Sequence, residues 1–169
     1  MRVLMGNYND VDVGRKVDIH IDRHDVWNMD HTLALIIHPM LIELKKDKSG
    51  APVVDDEDVP EELRSYNSEP LIDKDTGKQD DHLDCNFFKR WDWVIDEMIK
   101  AFGEYTQDWE DQYHTKKDPA DVIPEPRTAT MAGIGLNEWS YDAVGQKAHE
   151  ERIHNAILLF GKYYSNLWS

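Results

Sequence analysis

Leu33, Ile36, Ile37, Met40, Leu41 and Leu44 fall at i, i+3, i+4, i+7, i+8 and i+11, the spacing that lines one side of an α-helix with apolar side chains. The period returns at Phe87 or Phe88, Trp91, Val94, Ile95, Met98, Phe102 and Tyr105, and again at Ile153, Ala156, Ile157, Phe160, Tyr164 and Leu167. Three such stripes must be buried against one another or against another layer. The first helix is expected from about Met29 to Lys46, with Asn28 or Asp30 capping its start and Lys45, Lys46, Lys48 and Gly50 suiting its negative end. Pro39 removes one backbone donor inside it, so a kink near Leu35 is expected. The second helix is expected from about Asn86 to Gln112, and Trp91, Trp93 and Trp109 make it aromatic enough to pack on two sides. Ser140 is expected to cap a third, running to about Trp168.

Ahead of these, residues 14–22 alternate apolar and polar, with Val17, Ile19 and Ile21 on one face of an expected half-buried strand. Met1 to Leu4 can pair with it, since Gly6, Asn7, Asn9 and Gly14 supply turn chemistry between the two. The expected fold is therefore α+β and mostly helical: three long helices with a small N-terminal β-hairpin and a long acidic excursion over residues 47–84, in a single domain of 1–169. With 169 residues, 40% of them hydrophobic, the chain can fill a core without disulfides or a structural metal. Its lone Cys85 can form no internal bridge, which points to a reducing compartment. The opening MRVLMGNYNDVDV lacks the apolar core of a signal peptide, so no secretory leader is expected. The longest apolar stretch, Leu33 to Leu44, is broken by His38, Pro39 and Glu43 and falls short of the ~20 residues a membrane span requires, so no membrane partner is expected.

Charge is distributed unevenly. The chain has 34 acidic and 19 basic residues, a formal charge of -15. Residues 1–50 and 126–169 are nearly balanced, whereas residues 51–85 hold 12 acids against 3 bases. So dense a cluster repels itself unless it is solvated, screened or matched by a cation or a basic partner. Residues 47–83 show no sustained period and contain Pro52, Pro60 and Pro70; loops of that length are usually functional or disordered. Within them, Asp55, Asp56, Glu57 and Asp58, followed by Glu61 and Glu62, form the candidate binding segment, and Val59 to Arg64 can form one helical turn with Pro60 at its first position. A solvated acidic turn, or a Mg²⁺ or Ca²⁺ site if the backbone folds round an ion, are the alternatives.

Two further arrangements raise metal chemistry. Asp73, Asp75, Gly77, Asp81 and Asp84 begin like a calcium loop, but Lys78 stands where that loop needs Gly and Asp84 where it needs Glu. On the second helix Asp92, Asp96, Glu97 and Glu104 share a polar side, and on the third Glu151 and His154 make a Glu-x-x-His step of the kind bundles use to hold a metal between helices. Joined by Asp30 and His31, the set Asp30, Asp96, Glu97, Glu151 and His154 would bind a divalent cation (Mg, Mn or Ca) and support a helical phosphohydrolase or oxygen-chemistry site. A di-metal site needs two such steps and the chain has one, so exposed charges on amphipathic helices are the competing explanation. No Gly-x-Ser-x-Gly elbow, P-loop, Gly-x-Gly-x-x-Gly or His-Glu-x-x-His is present.

The runs Trp27-Asn-Met-Asp-His-Thr-Leu-Ala-Leu-Ile-Ile-His-Pro39-Met-Leu, Val54-Asp-Asp-Glu-Asp-Val-Pro60-Glu-Glu-Leu-Arg64, Lys89-Arg-Trp-Asp-Trp-Val-Ile-Asp-Glu97-Met-Ile and Leu159-Phe-Gly-Lys-Tyr-Tyr-Ser-Asn-Leu-Trp168 resemble an uncharacterised protein family of tailed bacteriophages, many from marine hosts. The resemblance spans most of the chain beyond about residue 16 and implies a phage origin and a place in the host bacterial cytoplasm or the virion; it implies no chemistry. Three functions are then expected, in this order: an acidic, non-catalytic phage accessory protein that binds a basic surface of a host or phage protein; a metal-dependent helical phosphohydrolase; and a virion structural component. Direct nucleic-acid binding is disfavoured, because a negative field repels phosphates and no basic stripe is present.

Overall fold

The computed structural model describes residues 1–6, 16–72, 77, 79–117 and 139–168, with backbone alone at 79–82. Residues 7–15, where the sequence supplies turn chemistry, the calcium-like positions 73–76 and 78, and the proline-rich and Gly-rich stretch at 118–138 lie outside the described residues.

The architecture is α+β and mostly helical. Strands β1 (Arg2–Met5) and β2 (Val17–His20) pair antiparallel and precede α1 (Met29–Asp47); β3 (Pro70–Ile72) and β4 (Gln79–Asp84) form a second pair before α2 (Phe87–Glu104); β5 (His114–Lys116) and β6 (Trp139–Tyr141) form a third before α3 (Ala143–Lys162). Helix α2 is central, with α1 on one flank and α3 on the other. Both flanking helices run antiparallel to it. His31 of α1 donates from Nδ1 to the Tyr105 carbonyl at 2.7 Å, while Lys45 and Lys48 reach Asp96 and Asp92 near the other end. On the opposite flank Tyr163 stacks edge-on to Trp91, and His149 lies beside Glu104.

Position in the middle explains the aromatic content of α2. It buries Phe87, Trp91, Val94, Ile95, Met98, Ala101 and Phe102, which is the predicted stripe widened to serve two neighbours. Trp91, Ile95, Met98 and Val94 are the largest fully buried side chains, and Phe160 meets Phe102 edge-to-face at 4.9 Å between ring centres. At Gly103 the His38 ring comes so close that a Cβ would sit 3.3 Å from its Nε2, so the ring of α1 packs directly over the α2 backbone there.

Four expectations are corrected. Helix α2, expected to run to about Gln112, ends at Glu104, and Trp109 falls in a separate 3₁₀ turn over Trp109–Tyr113. Leu33 and Met40, placed on the buried stripe of α1, are exposed at 42% and 64%, and the buried positions are Ala34 and Leu41 with Ile37 and Leu44 packed beside them. Among the described residues α2 is the one long helix packed on α1, so the α1 seam narrows to the 3–4 alternation of a pairwise helix contact. Helix α3 starts at Asp142, whose carboxylate accepts from the Gly145 amide at 2.9 Å, whereas Ser140 belongs to β6; it ends at Lys162, where a 3₁₀ turn over Tyr164–Asn166 takes over. That change of winding buries Tyr163 and exposes Tyr164. The apolar face of the N-terminal hairpin is not half-buried: Val17, Ile19 and Ile21 are 49%, 55% and 61% exposed. Alternation expresses a capacity to be covered, and among the described residues no second layer packs on this two-stranded pair.

The acidic excursion is built of consecutive 3₁₀ turns at Asp56–Asp58, Glu61–Leu63 and Ser65–Asn67, then the β3–β4 pair. Pro60, expected at the first position of a helical turn, instead stands just before the second turn as its extended N-cap, with φ -62° and ψ 155°. Val54 and Val59 anchor the segment by entering the main core at 5% and 3% exposure. Burying a valine contributes about 1.5–3 kcal/mol, which offsets part of the ordering entropy of an irregular stretch.

Candidate functional site

The acidic run Asp55 to Asp58 lies against the end of α3, where the sequence supplies Lys162 and Tyr163 side by side. Lys162 Nζ stands 2.8 Å from Asp55 Oδ2, 2.6 Å from Asp58 Oδ2 and 3.6 Å from Glu57 Oε1. The buried Tyr163 hydroxyl donates to Asp58 Oδ2 at 2.5 Å and accepts from the Asp55 amide at 3.0 Å. Asp56 turns the other way: its carboxylate accepts from the Ser65 hydroxyl and, at 2.7 Å, from the Ser65 amide. Four neighbouring carboxylates are tolerable because three surround one cation and the fourth is held by hydrogen bonds.

The protonation equilibria follow that wiring. Hydrogen bonds that its ammonium donates to Asp55 first and then to Asp58 push Lys162 above its ordinary value. Burial, then the hydrogen bond to Asp58, pushes the Tyr163 hydroxyl up to about 12. The Ser65 hydroxyl and then its amide hold Asp56 below the usual carboxylate range.

A second polar anchor fixes the far end of the segment. Arg90, buried on α2, makes a two-pronged pair with Asp84 (3.1 and 2.5 Å) and donates to the Leu63 carbonyl at 3.0 Å. Asn86 donates to the Glu62 carbonyl at 3.2 Å, and Asn67 to that of Glu61 at 2.7 Å. Burial alone would raise Asp84, but hydrogen bonds from Arg90, Ser68 and Asn86 outweigh it and hold its carboxyl below the usual range.

The six predicted binding residues therefore divide. Asp55, Asp56 and Asp58 use their charge or hydrogen-bonding capacity to tie the segment to the body, whereas Glu57, with 82% of its side chain exposed, and the exposed Glu61 and Glu62 point their charge outward. Glu57 still lies within ion-pair distance of Lys162.

The metal candidates are not brought together. Asp96 pairs with Lys45 and Glu97 with Lys100, while Glu151, on the exposed side of α3, lies 3.9 Å from Lys147, and His154 is exposed. Asp30 sits at the opposite end of α1 from Lys45, about 22 Å along a helix that rises 1.5 Å per residue, beside a depression shared with His31, Asp108, Glu110 and Asp111. Among the described residues no group of three or more His, Cys, Asp or Glu side chains is placed to hold a metal ion. Carboxylates separated by four residues on α2 do share a side, but lysines on α1 and α2 occupy that side with them.

Sequence reasoning missed Lys162, Tyr163, Arg90 and His149. The buried His149 is hydrogen-bonded to the Tyr113 hydroxyl at 2.7 Å and packed on Trp109. Each lies on or beside a helix at a position where periodicity assigns no role, and only the approach of a distant segment supplies one. Compared with known proteins, the chain matches no protein-family model, no curated protein and no solved structure. No helix among the described residues is long and apolar enough to cross a membrane.

Proposed function

We propose that this chain is a non-catalytic bacteriophage accessory protein whose acidic segment binds a basic surface of a host or phage protein. The observation that carries the reading is a pre-organised negative surface: Glu57, Glu61 and Glu62 are exposed on a short segment pinned by Lys162 and Tyr163 at one end and by Arg90 and Asn86 at the other. Carboxylates held in place lose little freedom on meeting a cationic partner, and a concentrated field mainly speeds encounter and sets salt dependence. The resemblance to tailed-phage proteins supports a partner in the infected bacterial cell. The phosphohydrolase reading draws no support from the separated carboxylates of α2 and α3.

Capture of partners from phage-infected cells tests the reading. The wild-type chain should retain a basic protein at low salt and release it near ~0.5 M, where the Debye length falls to a few ångströms. A Glu57→Gln, Glu61→Gln, Glu62→Gln variant should melt like wild type and lose that retention. Undiminished retention by the triple variant would overturn the proposal.

A further inference from the structure

Beside the acidic segment, residues 57–60 and the facing sides of α2 and α3 enclose an open groove of about 520 Å³. Val59, Pro60, Trp93, Leu158 and Leu159 line it, with Glu57, Asp58 and Lys162 at its rim. Leu158 is 57% exposed although it lies one helical turn before Lys162, so a concave apolar surface stays open to water next to the densest charge in the chain. Among the described residues the one cation lining it, Lys162, is already engaged by Asp55 and Asp58, and the field over the groove is therefore negative. A hollow with an apolar floor and a charged rim is how proteins seat a bulky side chain while its flanks meet opposite charge. The same field disfavours an anionic ligand, and at a formal charge of -15 it disfavours a second copy of this chain.

Resting on the binding function above, we infer that the groove seats one bulky apolar side chain from the partner's basic segment, with the Arg and Lys residues flanking that side chain set against Glu57, Glu61 and Glu62. The acids supply encounter rate and salt sensitivity; the groove supplies the discrimination among basic sequences that charge alone lacks.

Calorimetric titration at low salt with two synthetic peptides tests this: arginines flanking a central Phe, and the same peptide with Ala in its place. The wild-type chain should bind the Phe peptide about tenfold to a hundredfold more tightly, the range expected for burying an aromatic side chain. Leu158→Asn, at an exposed position, should abolish that preference while leaving Ala-peptide affinity unchanged, and Glu57→Gln should weaken both peptides alike. In parallel, the Trp93 indole and Leu158 methyl resonances should shift on adding the Phe peptide to the wild-type chain and stay in place with the Ala peptide. Equal affinity for the two peptides, a preference that survives Leu158→Asn, or unmoved Trp93 and Leu158 resonances would overturn the groove inference and leave the acidic reading standing. Failure of the wild-type chain to bind either peptide would overturn both.

Discussion

Replacing Tyr163 by Phe removes one oxygen and leaves the packing of the ring on Trp91 intact. That oxygen donates to the Asp58 carboxylate and accepts from the Asp55 amide, and the ring is 5% exposed. A hydrogen bond to a charged group contributes about 1.5–3 kcal/mol, and the neutral one adds little here because Asp55 can turn its amide to water. The expected loss is therefore about 2–3 kcal/mol. Unfolding entropy near 2.1 cal/mol/K per residue gives about 0.35 kcal/mol/K for this chain, so the midpoint should fall by about 6–8 °C. A calorimetric melt at neutral pH measures the drop. Hydrogen exchange should locate it, with amides of 54–59 losing protection ahead of those in α2. A Tyr163→Phe protein that melts within about a degree of wild type and keeps the 54–59 amides protected would show that Val54 and Val59 alone dock the acidic segment.

Arg90→Met should cost about 3–5 kcal/mol by stranding Asp84, since the two side chains are only 6% and 16% exposed, and adding Asp84→Leu should recover part of the loss; chemical denaturation of both variants checks this, and an unaffected Arg90→Met midpoint would refute it. Tyr163 and Lys162 both have folded pKa values raised above their ordinary ones. Their contribution is fully present below about pH 10 and is lost as pH climbs through the raised values, because the unfolded chain gives up those protons first. Melting temperature should thus fall between about pH 10 and 12, and less steeply in a Tyr163→Phe chain; equal slopes in the two proteins would contradict the assignment.

Local sequence carried the helices, because burying one side of α1, α2 or α3 needs only residues three and four apart in the same segment. It also carried the pairing of the N-terminal strand, expected over Met1 to Leu4 and found over 2–5, with a strand inside residues 14–22, and the two-sided packing of α2 expected from Trp91, Trp93 and Trp109, although Trp109 lies in a 3₁₀ turn beyond the helix. Capping was less legible: Ser140 and Asp142 are both good caps, and the pairing of β6 with β5 decides between them. Exposure of Val17, Ile19 and Ile21 was illegible, since an alternating pattern does not state whether a second layer exists. The acidic segment shows the division most directly. Four successive carboxylates announce that a counter-charge is needed, but they do not say whether it comes from a partner, an ion or the chain itself. Lys162, more than a hundred residues away, answers for Asp55 and Asp58, and Tyr163 beside it completes the clasp. Coulombic attraction and hydrogen bonding act across space and have no period along the chain. The segment's charge was therefore written in the sequence, while the choice of which carboxylates face outward was made only when α3 came to lie alongside it.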